Sequence, residues 1–465
     1  MMALEGPFLT ALIARCLEPK FNLAAHGVAF AFAILVEAPV IMIMSASAAL
    51  VEDADSYHKL RRYTFTLNGV ITGIMLVLVI PAVWRWVGED LIGLPHEVAR
   101  LTHGALLILL PWPGAIGYRR FFQGLLIRDR LTRRVAYGTV IRLSLMSATG
   151  LVLFLWAPIP GAWIGASALS VGVCAEALAA RWMVRGTLRR LLAMEATETV
   201  SSQEPAVLPA GGEAREAAVP HAGGDQRQPA VLPAGRDVRD PAVSTLEKSS
   251  RKLTFASITR FYYPLALTSM LGLAVHPVVT FFMGRARDPV ESLAVLPVVN
   301  ALSFVFRSFG LSFQEVAIVL LGDRQRHYPE LSRFAAGLGL CVSLGLGLFG
   351  FTDLGHLWFE HVAGLSSELA QFAIPPTRIL MVLPALSVLL SLQRAVLVQV
   401  RDTGPITWAT VIEVGGIVLV LSFLIQGANL VGVTAAAWAF VLGRMAGNVR
   451  LVLPCRRGLQ RHAPV

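Results

Sequence analysis

Apolar residues run in long stretches, broken by short polar turns, over most of the chain. The stretches lie near 1–17, 22–51, 62–87, 97–127, 134–158 and 161–186, and again near 255–283, 291–321, 332–358, 368–399, 405–426 and 429–453. A hydrocarbon core about 30 Å thick takes about 20 helical residues to cross. The pattern therefore predicts an all-α integral membrane protein of about twelve transmembrane helices. Several stretches exceed that length, which predicts tilt or kinks. Pro39, Pro113, Pro264, Pro277 and Pro384 fall inside them, as kinked membrane helices allow. Between 193 and 250 the pattern stops. That segment is rich in Ala, Pro, Gly, Glu and Arg, and repeats PAVLPAG at 205–211 and 229–235. It is expected to be a disordered tether between an N-terminal half, 1–192, and a C-terminal half, 251–465.

A longer internal repeat orders these segments. PFLTALIARCLEPKFNLA at 7–24 aligns with PVVTFFMGRARDPVESLA at 277–294. Pro7 meets Pro277, Thr10 meets Thr280, Arg15 meets Arg285, Pro19 meets Pro289, and Leu23-Ala24 meets Leu293-Ala294. Tyr57, Leu60, Arg62 and Tyr63 match Tyr328, Leu331, Arg333 and Phe334, and Thr139-Val140-Ile141 matches Thr410-Val411-Ile412. The offset stays near 270, and hydrophobicity alone does not force polar matches near helix ends. Six helices return the chain to its starting side, so the halves are parallel six-helix bundles, one of the known transporter plans. The second half also carries RKLTFASITRFYYPLALTSM ahead of the point matching Met1. The first half has no counterpart, so either the native chain starts upstream of Met1 or the first helix is expected to be only partly spanning.

Composition agrees: 55% of residues are hydrophobic and 15% charged, too apolar for a soluble domain. The formal net charge of +10 does not point to nucleic acid, because the basic residues gather at alternate breaks. Lys59, Arg61 and Arg62, then Arg128, Arg130, Arg133 and Arg134, then Arg185, Arg189 and Arg190 follow the even-numbered segments. Arg324, Arg326, Arg401, Arg456, Arg457 and Arg461 repeat the pattern, while the breaks after the fifth, ninth and eleventh segments hold no Lys or Arg. This predicts a cytoplasmic linker and C-terminus in a cell inner (plasma) membrane. Cys16, Cys174, Cys341 and Cys455 are far apart and read as single thiols, not a disulfide or zinc framework.

The parallel halves, the long middle linker and the segment PWPGAIGYRRFFQGLLIRDRLTRRVAYGTVIRL resemble the multidrug and toxic compound extrusion (MATE) transporters. They resemble more broadly the superfamily that also contains polysaccharide and lipid-linked oligosaccharide exporters. FYYPLALTSMLGLAVHPVVTFFMGR and ESLAVLPVVNALSFVFRSFG are similar to its progressive-ankylosis branch. The resemblance implies alternating-access transport. It also implies an acidic residue in the first or seventh helix that binds the coupling ion. Glu5 fits the first; the seventh holds His276 instead of an acid.

Ionisable groups at membrane depth are costly, so each is a candidate for function. Glu5, Glu37, Glu176, Arg142, Arg307, Glu315, Glu413 and Arg444 lie inside apolar stretches; Glu176 and Arg444 lie nearer the cytoplasmic ends and read as groups that are paired or snorkel to an interface and only hold helices together. In the repeat Glu37 is equivalent to Arg307, and Arg142 to Glu413. Opposite charges at equivalent positions predict pairing across the two halves. Glu5, Glu37 and His276 are the candidates for ion or proton linkage, and Asn300, Arg307 and Gln314 for the lining of a central cleft. The glycines of the ninth segment (Gly337, Gly339, Gly345, Gly347, Gly350) read as close helix packing. HEVAR at 96–100 lacks the second histidine of a zinc helix. No phosphate loop, nucleophile elbow or paired-acid motif occurs, so no enzyme, metal or cofactor is expected.

The expected protein is a monomer in the lipid bilayer that exports or exchanges a small organic solute, driven by a proton or sodium gradient. A flippase for a lipid-linked precursor and a non-transporting scaffold are the alternatives; an Arg-rich cleft would favour the flippase, a cleft closed by apolar packing the scaffold. Deleting about 205–243 should leave folding and activity nearly intact, because the segment cannot offset an ordering entropy of roughly 1–2 kcal/mol per residue. Expression level and monodispersity of the deletion variant check this.

Overall fold

A computed structural model describes residues 2–201, 253–321, 327–400, 402 and 404–461. The bulk of the expected tether, 202–250, lies outside them. The described residues form helices and turns, arranged as twelve rods in two groups of six. In the first group α1 is Glu5–Ile13, α2 is Pro19–Leu50, α4 covers 96–128, α5 is Thr132–Trp156 and α6 is Gly161–Ala193. Between α2 and α4, α3 is Ala54–Leu78, continued after a 70° bend by Pro81–Ile92. The second group is α7 (Phe255–Met283), α8 (Pro289–Leu320), α9 (Tyr328–Phe351), α10 (Ser367–Gln399), α11 (Gly404–Gly427) and α12 (Gly432–Gln460). Among the described residues nine of these rods are long and apolar enough to cross a membrane, and α3 passes with its bent continuation as a tenth. The remaining two are α1, which is short, and α4, which carries Arg119 and Arg120. Beyond α6 the helical backbone continues from Arg185 to Ser201, past the 192/193 boundary.

The repeat is visible in the backbone. Glu18 and Asp288, about 270 apart, both take left-handed φ, 52° and 51°, immediately before the prolines that open α2 and α8. Proline disfavours the right-handed helical region for the residue before it, so both hairpins place the same strain at the same position. Each half also has a π-helical segment after its third rod, Trp86–Ile92 and Leu357–Val362. Both are followed by a turn containing a left-handed glycine, Gly93 or Gly364. The close approach of α5 to α6 at Gly172, which faces Arg142 and Met146, recurs between α11 and α12 at Gly443, which faces Glu413 and Ile417. In α9, Gly339, Gly345 and Gly350 lie against Ala385, Phe306 and Arg378, while Gly337 faces open space.

The halves meet through α1 and α2 on one side and α7 and α8 on the other. Along α2, α7 packs against the turn at Ala38 and Pro39. The α2 helix breaks at Met42, whose N–H turns to Val40. The Ala38 carbonyl instead accepts from Ser269 Oγ at 2.8 Å, and Tyr262 donates its hydroxyl to the Pro39 carbonyl. In an apolar solvent a broken helix persists where neighbours supply such donors.

At the end of the bundle that holds the α1–α2 and α7–α8 turns, the two halves clasp each other reciprocally. Arg15 donates to the carbonyls of His361 (2.7 Å) and Val362 (3.1 Å) in the other half. The equivalent turn of the C-terminal half sits on the equivalent segment of the first: a Cβ on Gly284 would lie 2.6 Å from the Ile92 carbonyl oxygen. Arg285 does not repeat the hydrogen bonds of Arg15 and stacks over Phe281, 4.2 Å from its ring centre. Lys20 and Glu291 add an ion pair between the first turns of α2 and α8. The opposite end carries the arginine runs.

Gly284→Ala should force this clasp apart, since backbone cannot yield as a flexible side chain can. Spin labels at Leu91 and Arg287, both exposed and flanking the Gly284–Ile92 contact, should report a longer distance in the variant than in the parent by electron spin resonance.

Candidate functional site

Each half gathers its buried charges into one centre. In the N-terminal half Glu176 of α6, 0% exposed, is the hub. Arg119 of α4 donates to its Oε2, Gln123 donates to its Oε1 at 3.0 Å, and Arg142 Nε of α5 lies 3.3 Å from Oε2. Arg142 reaches on to Glu5 of α1 with its Nη2. Arg119 and Arg142 are 2% and 7% exposed, so these are interior ion pairs that join α1, α4, α5 and α6. Glu37 of α2, 8% exposed, differs. Its Oε2 accepts from the Trp112 indole N–H, and no ion pair holds it among the described residues. Arg119, Arg120 and Arg142 are within electrostatic reach of it.

The C-terminal half builds its centre from α7, α8, α10, α11 and α12. Arg444 Nε donates to Glu413 Oε1 at 2.7 Å. Gln393 donates to the Asn448 carbonyl at 3.1 Å, and Asn448 donates to the Leu386 carbonyl at 3.0 Å, which ties α12 to α10. Arg307 of α8 and Arg394 of α10 are within electrostatic reach of the Glu413–Arg444 pair, and Arg307 of His276. Asn300, Arg307 and Gln314 are all half-buried. Their spacing of seven residues keeps them on one stripe of α8, because a straight helix drifts only about 20° per heptad.

This geometry changes several expectations. The pairing of Glu37 with Arg307, and of Arg142 with Glu413, across the halves is not formed: Glu37 accepts from Trp112, Arg142 pairs with Glu5 and Glu176, Glu413 pairs with Arg444, and Arg307 makes no ion pair with a described residue. Sharing a repeat position does not bring two side chains together: Glu37 turns to Trp112 of α4 and Glu413 to Arg444 of α12. Glu176 and Arg444 are paired, with Arg119 and Glu413, and tie helices together rather than snorkelling. Glu315 is exposed. Sequence reasoning missed Trp112, Arg119, Arg120, Gln123, Gln393, Arg394 and Asn448. The signal available was Arg119-Arg120 set between apolar neighbours in α4, four residues from Gln123.

No protein-family model and no curated protein sequence matches the chain. Solved structures do. An inward-facing multidrug resistance MATE family transporter of the MOP superfamily superimposes with TM-score 0.68 at 14% identity, covering 99% of this chain and 94% of that one. The lipid II flippase MurJ, in an inward closed conformation, gives 0.65 at 13% identity over 99% and 88%. An outward-facing MATE family transporter gives 0.56 at 14% identity over 100% and 96%. The chain has the two-bundle membrane fold of these proteins, as the repeat and the parallel halves predict.

Glu176→Gln should cost about 3–5 kcal/mol of stability, because it strands Arg119 and half of Arg142 in the interior. Glu37→Gln should cost at most about 1 kcal/mol, since an amide oxygen still accepts from Trp112. Thermal unfolding of the two purified variants beside the parent tests the contrast.

Proposed function

We propose that the chain is a secondary transporter that works by alternating access, captured with its outer side closed. One observation carries the reading: the buried ion pairs lie within a half and not across the halves, and a reciprocal clasp joins the halves at the end that holds the α1–α2 and α7–α8 turns. Two internally tied bundles joined in this way can rock as bodies without breaking a buried ion pair. The better match to the inward-facing than to the outward-facing transporter supports the closed outer side. The arginine-rich end is then cytoplasmic by the positive-inside rule, in a plasma (inner) membrane.

Proton linkage falls to Glu37. Protonating Glu5 or Glu176 would strand a guanidinium, whereas Glu37 has a neutral donor and no ion pair. Sodium is less favoured, because Arg142 already occupies Glu5. Substrates are small organic solutes. Flippase activity on a lipid-linked precursor is a second reading, favoured by the excess of arginine in the C-terminal half.

Flux of organic cations and anions into proteoliposomes under an imposed proton or sodium gradient tests the proposal. Transport driven by a pH gradient is expected, and Glu37→Gln should uncouple it from that gradient while leaving the protein folded. Absence of flux for every solute under either gradient would reject transport of small solutes.

A further inference from the structure

The two halves treat one corner of the bundle differently. In the N-terminal half, where α4 ends, α5 begins and α6 turns, the corner is bridged by the protein's own arginines. Arg134 of α5 donates to the Met183 carbonyl at 2.7 Å, and Arg190 pairs with Asp129 at 3.0 Å. The offset that aligns Thr139-Val140-Ile141 with Thr410-Val411-Ile412, and Gly172 with Gly443, puts Pro405 at the place of Arg134 and Pro454 at that of Met183. A proline ring cannot reach across as a guanidinium does. In the C-terminal half a cavity of about 450 Å³ stands at this corner, and its lining includes Asp402, Pro405, Arg450, Leu453, Pro454 and Arg457.

The polar groups of this cavity carry both signs. Arg450 and Arg457, seven residues apart on α12, share one stripe of that helix. Both are exposed, as is Asp402. None of the three forms an ion pair with a described residue. Pro454 has no N–H for the Arg450 carbonyl four residues back, so that carbonyl lacks its usual helical partner. The cavity lies at the arginine-rich end of the bundle. Trp408, one turn into α11, and Val449 and Leu453 on α12 are exposed apolar side chains beside it. An exposed tryptophan next to arginines marks the level of lipid headgroups.

We propose that this cavity binds the headgroup of phosphatidylethanolamine, with its phosphate at Arg450 and Arg457, its ammonium at Asp402, and its acyl chains along Val449 and Leu453. The ammonium then brings to this corner the N–H donors that Arg134 brings to the other. The guanidinium fork suits phosphate oxygens, and a primary ammonium offers three donors to a carboxylate and a backbone carbonyl. An anionic headgroup without an amine would turn only hydroxyls or an anion towards Asp402. A choline headgroup carries the positive charge but no N–H. The lipid is a fixed companion of α10, α11 and α12, outside the centres described above, and the assignment does not depend on what the chain transports.

Competition between lipids tests this on the purified full chain. The protein is stripped of lipid in detergent and offered dioleoyl phosphatidylethanolamine, phosphatidylcholine or phosphatidylglycerol. Native mass spectrometry reads retention, and thermal unfolding reads stabilisation. Phosphatidylethanolamine should be retained and should raise the unfolding temperature. Phosphatidylcholine and phosphatidylglycerol should each be retained about tenfold more weakly, the worth of one charged hydrogen bond. Asp402→Asn should abolish the preference for ethanolamine over choline, whereas Arg457→Gln should weaken retention of both. Pro405→Arg sets a guanidinium where Arg134 stands in the other half, and should displace the lipid from a chain that still unfolds cooperatively. Equal retention of the ethanolamine and choline lipids, stronger retention of phosphatidylglycerol, or an unchanged preference in Asp402→Asn would each overturn the assignment. So would an equal thermal shift from glycerophosphoethanolamine, which has the headgroup without the chains.

Discussion

Everything else in this bundle is built around the neutralisation of charge where water is absent. Glu176 is the clearest instance. It has no exposure, and the side chains of Arg119, Arg142 and Gln123 fill its acceptor positions. Those contacts fix α4, α5 and α6 at one depth, and Arg142 carries the tie to α1 through Glu5. Lipid offers no hydrophobic drive for helix association, so packing of small residues and polar contacts hold such bundles together. The N-terminal half uses both, with Gly172 letting α6 approach the backbone at Arg142.

The C-terminal half keeps the backbone plan and changes the electrostatics. Its polar tie runs through Gln393 and Asn448 to backbone carbonyls, which needs no charge. Neutral groups and the one Arg444–Glu413 pair hold these helices, while Arg307 and Arg394 make no hydrogen bond or ion pair with a described residue. In the other half the same side chains serve both ends, and only Glu37 stands apart. A duplicated fold can divide labour in this way because each copy needs its helix contacts but only one copy of each chemical function.

The sequence made the architecture legible because bilayer thickness, the inside bias of arginine and the repeat each act on long stretches of chain. Polar matches such as Arg15 with Arg285 and Pro19 with Pro289 located equivalent turns, and the structure carries equivalent backbone strain at the residue before each proline. The centres were only half legible. Glu5, Glu37, Arg142, Arg307 and Glu413 stood out as charges in apolar runs. Their partners did not, because the repeat gives equivalence and not direction. It cannot distinguish a residue facing the axis from one facing inward, and so Glu37 was set against Arg307 when its neighbour is Trp112. Arg119 is hidden by its nearness to the basic run that follows α4, and Arg394 by its nearness to Arg401. Depth along a helix decides between an anchor at the interface and an interior ligand, and composition does not record it.

The clasp at the turn-bearing end has the form of an isologous contact, in which one surface meets its partner twice about a two-fold axis. In a true homodimer both copies must be identical and break at the same load. Fusion into one chain lifts that restriction. Arg15 keeps hydrogen bonds to two carbonyls, whereas Arg285 has turned onto Phe281 and leaves its side of the contact to the fit of Gly284 against Ile92. One seam is bonded and the other is only fitted. Parting the halves therefore begins at the fitted seam, and the bonded one serves as the pivot until it too lets go.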